Sequence, residues 1–321
     1  MNPFSEKDPL SMVGEKALIT RICAAFGASA PKAPFGPGDD CALIRAEELG
    51  GGDMLATSDA VILGRHFDAS TDPRLAGRKL VNRNASDIAA MGGSPAFALA
   101  SGIVSGDLSL GWLDEFCAGV SEAAEKLGIK IVGGDVARAE GRFFSMHMSL
   151  LGTAPERTLL RSGARIGDAL YVTGELGLSF ESGRHLDFEP RIAEGEFLAQ
   201  TWGVGACIDL SDGLASDVKN IIPRGACAEI FEDSVPRRSF GGKTAALDEA
   251  LCGGEDYELL FAYRGDCGEF ERAWAESLGT SLSRIGRLSA PAGVSESGGL
   301  VVVRSGGGRE VFRGSGFDHM A

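Results

Sequence analysis

The sequence has few features of a nucleic-acid-binding or membrane protein. Its 31 lysines and arginines are outnumbered by 45 aspartates and glutamates, and the formal net charge is -14. No basic run offsets this charge, so the overall field repels long polyanions such as DNA. The amino terminus lacks an apolar signal segment, and glycines and Pro95 interrupt the most apolar stretch, residues 88–104. We therefore expect no nucleic acid, no membrane partner and a cytoplasmic location.

Cysteine and histidine are also too sparse for several kinds of site. The seven cysteines form no C-x-x-C pair and no zinc-type cluster, which indicates reduced core thiols. Only four histidines and no G-x-S-x-G segment are present, which disfavours a serine triad. "GGKT" at 241–244 resembles the end of a P-loop, but Arg237 occupies the place of the motif's first glycine. The sequence therefore contains neither a Walker A motif nor a nucleophile constellation.

Hydrophobic periodicity predicts that the first half of the chain is α/β. Asp72 is a suitable N-cap and Pro73 a suitable first residue for a helix that ends at Gly92. A second, amphipathic helix is predicted to stop at Gly128, and an earlier helix is predicted near residues 14–26. Short strands alternate with these helices.

The chain is long enough for two domains of ordinary size. It has 321 residues, and 44% hydrophobic with 24% charged residues is typical of a globular protein. A polar turn follows Thr153 and leads into a new strand, so we place the boundary there. The predicted domains are residues 1–153 and 154–321.

Acidic residues recur where a strand meets a small-residue turn, or on a helix face. Turn preferences alone favour aspartate and glycine at any one such position. Six positions are harder to explain in this way. They contain Asp39, Asp40, Asp59, Asp87, Asp135, Asp209, Asp212, Glu255 and Asp256. Converging carboxylates repel one another unless divalent cations such as magnesium bind between them, and the adjacent glycines expose N–H groups suited to phosphate oxygens. The pattern predicts a combined carboxylate, magnesium and phosphate site.

One of these acids has a second interpretation. Asp87 is predicted to lie on a helix with Arg83 and Lys79 at successive steps of four residues. That alignment is equally typical of an ion-pair ladder on a solvated helix face. The sequence alone leaves both interpretations open.

The order of these motifs resembles that of the thiamine-monophosphate kinase family, in the aminoimidazole-ribonucleotide-synthetase-like ATP-binding superfamily. The matching segments are "GDDCAL", "TSDAVILGRHF", "NASDIAAMGGSP", "VGGDVAR", "LLRSGARIGDALYVTGELG", "IDLSDGLASD", "GGEDYELLF" and "GSGFDHM". They span nearly the whole chain, and "SDGL" followed by "GGEDYEL" is a specific pairing. The resemblance implies an α/β (α+β) two-domain fold, with an N-terminal sheet that contributes to a dimeric β-barrel and a C-terminal α/β sandwich. It also implies a homodimer.

The resemblance further implies roles for particular residues. Magnesium would be held by Asp40, Thr57, Ser58, Asp59, Asp87, Asp135, Asp209 and Asp212. The catalytic carboxylates among these would be Asp87, Asp135, Asp209 and Asp212. ATP would contact Gly134, Asp135, Arg161 and Ser211, and thiamine monophosphate would contact His66, Glu255 and Phe317. His66 also fits a helix cap or core position, Arg161 an exposed turn, and Phe317 a hydrophobic closure of the carboxy terminus.

The implied reaction is phosphoryl transfer from ATP to thiamine monophosphate, which gives thiamine diphosphate. The acceptor phosphate is already ionised at neutral pH, so no general base is needed. Alignment of the two anions and screening of their repulsion are sufficient for catalysis. This requirement agrees with a site rich in acids and magnesium.

The sequence departs from the family pattern at several positions. The segment between "VTG" and "EPR", around residues 177–190, is shorter than is usual, and Ala60, Val136 and Phe317 replace more typical residues. Two alternatives therefore stay open: another ATP-dependent reaction of the superfamily, or a catalytically silent nucleotide-binding protein. Retention of the acids favours an enzyme, because clustered carboxylates without a ligand cost stability.

Overall fold

Two β-sheets, one on each side of residues 154–168, organise the chain. A computed structural model describes residues 33–34, 39–45, 52–291, 298–314 and 316. The helix predicted near residues 14–26 and the substrate residue Phe317 lie outside this range. The α/β (α+β) architecture expected from the sequence is confirmed. The division at residue 153 stays a prediction.

The first sheet has five strands and carries two helices. Its strands are β1 Ala42–Ile44, β2 Met54–Ile62, β3 Ser94–Ser105, β4 Lys130–Ala139 and β5 Phe144–Thr153, in the order β1-β2-β5-β3-β4. Its helices are α1 Pro73–Ala90 and α2 Leu110–Lys126. Only β3 and β4 are parallel, and α2 is the crossover that a parallel pair requires. Among the described residues this sheet is open, with β1 and β4 at its edges.

Both predicted helices begin where their capping residues indicate. The Asp72 side chain accepts a hydrogen bond from the Arg74 N–H at 2.9 Å, and Pro73 is the first residue of α1. Ser109 caps α2 in the same way. The helices end at Ala90 and Lys126, two residues before the glycines expected to stop them. The capping signals therefore position α1, which carries most of the candidate site.

The second sheet has seven strands. They are β6 Ala169–Thr173, β7 Val204–Asp209, β8 Cys227–Phe231, β11 Leu259–Tyr263, β12 Leu282–Ser289, β13 Leu300–Val303 and β14 Arg309–Val311, in the order β14-β13-β8-β12-β6-β11-β7. The short strands β9 Ser239–Phe240 and β10 Lys243–Thr244 form a separate hairpin. The helices are α3 Ile192–Gln200, α4 Leu214–Ile221, α5 Leu247–Cys252 and α6 Cys267–Ser277. Helices α4 and α5 pack against one apolar cluster of the sheet, and α3 and α6 against another.

Helix α1 connects the two sheets. It contacts β2 and β5 of the first sheet, α3 of the second part of the chain, and β7. The approach of α3 to α1 is close, since a Cβ added at Gly195 would lie 2.1 Å from the Ala89 carbonyl oxygen. Only glycine permits this backbone contact. In the described part of the chain, no helix is long and apolar enough to cross a membrane.

Candidate active site

Three carboxylates meet where the two sheets adjoin. Asp40 lies just before β1, Asp87 lies in the last turn of α1, and Asp209 ends β7. One oxygen of each lies within 4.8 Å of the others. Asp40 and Asp209 are buried. The cluster is therefore assembled from three elements that are distant in sequence.

Burial and the charges of neighbouring carboxylates make Asp87 and Asp209 reluctant to ionise. Burial raises the pKa of Asp87 well above its usual range, and the charges of Asp59, Asp209 and Asp40 raise it further. Burial, followed by the charge of Asp40, raises the pKa of Asp209 to about 8. A divalent cation would relieve this repulsion, and an all-oxygen donor set suits magnesium. The residues present therefore fit the predicted metal.

Hydrogen bonds hold each carboxylate of the cluster in place. Arg161 donates from Nε and Nη2 to the two oxygens of Asp40, both at 3.0 Å. Ser86 Oγ donates to Asp209 Oδ2 at 2.6 Å. Thr57 Oγ1 donates to Asp87 at 2.5 Å. The interpretation of Arg161 as an exposed turn residue is wrong, because its guanidinium is committed to the cluster.

The polar residues at steps of four along α1 do not pair with one another. Lys79 is fully buried, and its Nζ lies 2.7 Å from Glu255 Oε2. Arg83 Nε donates to Asp59 Oδ2 at 2.8 Å. Asp87 faces the carboxylate cluster. The ion-pair ladder interpretation is therefore wrong. The three side chains of α1 instead contact three different partners: Glu255, Asp59 and the carboxylate cluster.

The two described residues predicted to bind the acceptor lie on either side of Lys79. Its Nζ donates to the His66 carbonyl oxygen at 2.9 Å as well as to Glu255. His66 Nδ1 accepts from the Ile62 N–H at 3.0 Å, which fixes the ring. Burial lowers the pKa of Lys79, and the Glu255 charge opposes this change. A cavity of about 550 Å³ adjoins His66.

The three acidic side chains of the segment "GGEDYELL" contact different parts of the chain. Glu255 faces Lys79, whereas the Asp256 carboxylate accepts a hydrogen bond from Ser179. Glu258 accepts two hydrogen bonds from Arg191, both at 2.7 Å. The segment therefore both contacts α1 through Lys79 and anchors the chain that precedes α3.

Several other predicted residues lie outside the three-carboxylate cluster. Thr57 and Asp59 lie on the face of β2 that packs against α1, but Ser58 lies on the opposite face, where its hydroxyl donates to the Met148 carbonyl oxygen at 3.1 Å. Asp135 is exposed on edge strand β4, three strands from β2, or about 14 Å at normal strand spacing. Neither Ser58 Oγ nor Asp135 therefore lies beside Asp87 in the cluster.

The remaining predicted ATP contacts lie in turns and at the sheet edge. The Ser211 carbonyl oxygen accepts from the Glu255 N–H at 2.7 Å, so the turn after β7 adjoins the segment that contains Glu255. In the same turn the Asp212 N–H donates to Asp217 at 3.0 Å. Gly134 has a structural reason to lack a side chain, because a Cβ there would lie 1.7 Å from the Ala100 carbonyl oxygen.

Two residues of the site have partners that motif order alone did not reveal. Ser86 and Lys79 bond to Asp209 and Glu255, which are 123 and 176 positions further along the chain. The available signal was their position on the predicted α1: Lys79 lies two steps of four residues before Asp87, and Ser86 is its immediate neighbour.

The fold and the carboxylate cluster define a protein of the AIR synthase-related class. Residues 38–154 match the family described as AIR synthase related protein, N-terminal domain. The chain is 33% identical to the thiamine-monophosphate kinase of Salmonella typhimurium, over 96% of this chain and 98% of that protein. It is 32% identical to the corresponding Escherichia coli K12 kinase, with the same coverage. The chain belongs to the thiamine-monophosphate kinase family.

Solved structures agree with this assignment. A structure described as AaThiL complexed with AMPPCP and TMP has a TM-score of 0.79 and 28% identity, covering 98% of this chain and all of that one. The hydrogenase maturation protein HypE has a TM-score of 0.67 at 19% identity, covering 84% of this chain and 91% of that one. The likeness to HypE shows a shared fold only.

Proposed function

We propose that this protein transfers the γ-phosphoryl group of ATP to thiamine monophosphate and produces thiamine diphosphate. The observation that carries the proposal is the cluster of Asp40, Asp87 and Asp209, whose oxygens lie within 4.8 Å of one another. The AaThiL structure was obtained with AMPPCP and TMP, and the relatives over nearly the full chain are thiamine-monophosphate kinases. Two anionic substrates require such a cation-binding site between them.

The cluster would hold magnesium, which screens the phosphate charges when it is bound. Arg161 fixes both oxygens of Asp40, and Thr57 and Ser86 orient Asp87 and Asp209. These residues therefore preorganise the carboxylates before substrate binds. Asp59 and Asp212 as further ligands, and Gly134, Arg161 and Ser211 as ATP contacts, are part of the same proposal. Ser58 and Asp135 lie away from the cluster, and their roles as magnesium ligands stay predictions.

The acceptor would lie on the side of the site that contains His66, Glu255 and Lys79. The buried ion pair of Lys79 and Glu255 fixes the acidic segment relative to α1. His66 is fixed through its ring nitrogen and its carbonyl oxygen. Because no proton has to leave the acceptor phosphate, these residues bind and orient the substrate and need not act as a base. The contact of Phe317 with the acceptor stays a prediction.

The protein would act as a homodimer joined at β4. This edge strand is exposed throughout, and Ile131, Val132 and Val136 are 44%, 60% and 71% exposed. A long apolar edge is a template for pairing with another strand. A second copy that covers β4 would complete the shared barrel of the resemblance. The cytoplasmic location also stays a prediction.

An end-point assay tests the reaction directly. The purified protein is incubated with ATP, magnesium and thiamine monophosphate, and thiamine diphosphate is measured after oxidation to its fluorescent thiochrome. We expect product that disappears with a chelator and with the Asp87→Asn variant. A matched surface variant, Asp114→Asn, keeps full activity because Asp114 lies on α2 away from the cluster. Absence of product in the wild-type protein, with an ATP analogue still binding, would contradict the proposal and favour a silent nucleotide-binding protein.

A further inference from the structure

The cavity beside His66 has two walls from different parts of the chain. Residues 64–71 follow β2 and form one wall, and residues 180–186 precede α3 and form the other. His185, on the second wall, is within electrostatic reach of both Lys79 and Glu255. Lys79 Nζ also donates to the carbonyl oxygen of His66, which lines the first wall, so the ion pair of Lys79 and Glu255 lies next to the cavity.

The second wall is anchored before any ligand binds. The Asp256 carboxylate accepts from the Gly177 N–H at 3.0 Å and from the Ser179 hydroxyl. Glu258 accepts from Arg184 Nη2 at 2.6 Å. Both acids are buried and lie within three residues of Glu255 in the sequence. The acidic segment thus fixes the wall relative to the acceptor residues, which lowers the entropy cost of binding.

The anchored wall presents an aromatic surface to the cavity. The His185 N–H donates to the Ser179 carbonyl oxygen at 3.2 Å, and the Gly183 N–H donates to that of Phe180 at 3.1 Å. The Phe180 ring lies 4.6 Å from the His185 ring at an angle of 36°. Phe180 is nevertheless 47% exposed. Part of its ring is therefore available to a ligand.

We propose that this cavity binds the heteroaromatic rings of the acceptor and that Phe180 is a specificity-determining residue that stacks on them. The inference rests on the proposed function, which places the acceptor phosphate at the carboxylate cluster. Lys79 and Asp87 are eight residues apart on α1, or about 12 Å along the helix axis. An acceptor whose phosphate lies near Asp87 therefore extends its rings toward Lys79 and the cavity.

The charges around the cavity suit a cationic ring. Thiamine monophosphate carries a thiazolium cation, which is attracted to the face of an aromatic ring such as that of Phe180. Asp68 and Glu181 line the same cavity and add negative charge. Burial lowers the pKa of His185, so this ring is neutral near pH 7 and does not repel the cation.

Steady-state kinetics of matched variants test the inference. We expect Phe180→Ala to raise the KM for thiamine monophosphate about tenfold, the factor for a partly desolvated cation–π contact. The inhibition constant of thiamine, which has the rings but no phosphate, rises by the same factor. The KM for ATP and the melting temperature stay unchanged because Phe180 is half-exposed and lies on the acceptor side. Phe180→Trp keeps an aromatic face and retains a low KM.

The control is Phe240→Ala, since Phe240 is 49% exposed but lies in the β9–β10 hairpin. If Phe180→Ala and Phe240→Ala have the same KM for thiamine monophosphate, the inference is overturned. An equal rise in both substrates' KM values overturns it as well, because a ring contact acts on one substrate only. A wild-type protein without kinase activity overturns the proposed function itself, so the two failures are distinguished by the wild-type assay.

Discussion

Ser86 on α1 donates a hydrogen bond to Asp209 at the end of β7, with 2.6 Å between the two oxygen atoms. This bond joins a helix of the first sheet to a strand of the second. The distances between the carboxylates of the cluster therefore depend on how the two sheets are positioned relative to each other.

Removing this hydroxyl should weaken magnesium binding. The Ser86 hydrogen bond lowers the pKa of Asp209, so Ser86→Ala should favour the protonated carboxyl and raise the magnesium concentration needed for half-maximal activity about tenfold, as expected for a hydrogen bond to a charged group. Magnesium titration of the kinase activity measures the effect. Ser86→Thr keeps the hydroxyl and serves as the control; equal magnesium requirements for Ser86→Ala and wild type would contradict the prediction.

Without magnesium, stability should fall as the pH rises. Asp209 has an ordinary pKa of 3.8 and a folded-state pKa of about 8, so between these values the folded protein binds more protons than the unfolded chain. The free energy of unfolding contributed by this group therefore decreases toward pH 8. Thermal melts with a chelator at pH 6 and pH 8 measure the decrease, which magnesium should reverse.

The control for the pH experiment is Asp209→Asn, which removes the titrating group. Its melting temperature should depend less on pH in the chelator than that of the wild type. Identical pH dependences of the two proteins would show that Asp209 does not ionise as the structure indicates.

Breaking the Lys79–Glu255 pair should cost stability as well as acceptor binding. Lys79 is fully buried, so Lys79→Met leaves the Glu255 charge without its partner and should lower the free energy of unfolding by about 3 kcal/mol. The double variant Lys79→Met, Glu255→Gln removes both charges and should recover part of this loss, but not the KM for thiamine monophosphate. Urea unfolding and kinetics separate the two effects. If the double variant has the wild-type KM for thiamine monophosphate, the ion pair contributes to stability only and not to acceptor binding.

Charge placed on the exposed edge strand should prevent dimer formation. Val132 on β4 is 60% exposed, and Val132→Glu would put a carboxylate into the proposed interface. We expect light scattering during gel filtration to give the dimer mass for the wild type and the monomer mass for this variant. Ile166→Glu, at a position that is 53% exposed but away from β4, should stay dimeric. A monomeric wild type would contradict the proposal.

The sequence predicted the helices and strands, and the acids that form the carboxylate cluster, better than it predicted the partners of individual side chains. The cap at Asp72 depends on a contact within three residues, so the local pattern located the start of α1. The ladder on α1 failed because helical spacing does not distinguish a solvated face from a buried one. Lys79 is buried, and its charged partner Glu255 lies 176 residues further along the chain. Such pairings are decided by the packing of the sheets and not by local sequence.

Gly195 is required by the packing of α3 on α1, whereas the acids of the cluster are required by the proposed reaction. Any side chain at position 195 would collide with the Ala89 carbonyl oxygen, whereas the carboxylates of the cluster repel one another. A descendant of this chain that abandoned phosphoryl transfer would still have to keep the glycine, but would gain stability by replacing the acids. A chain that has both the acids and the glycine is therefore expected to be catalytically active. A chain that has only the glycine would be expected to keep the fold without the activity.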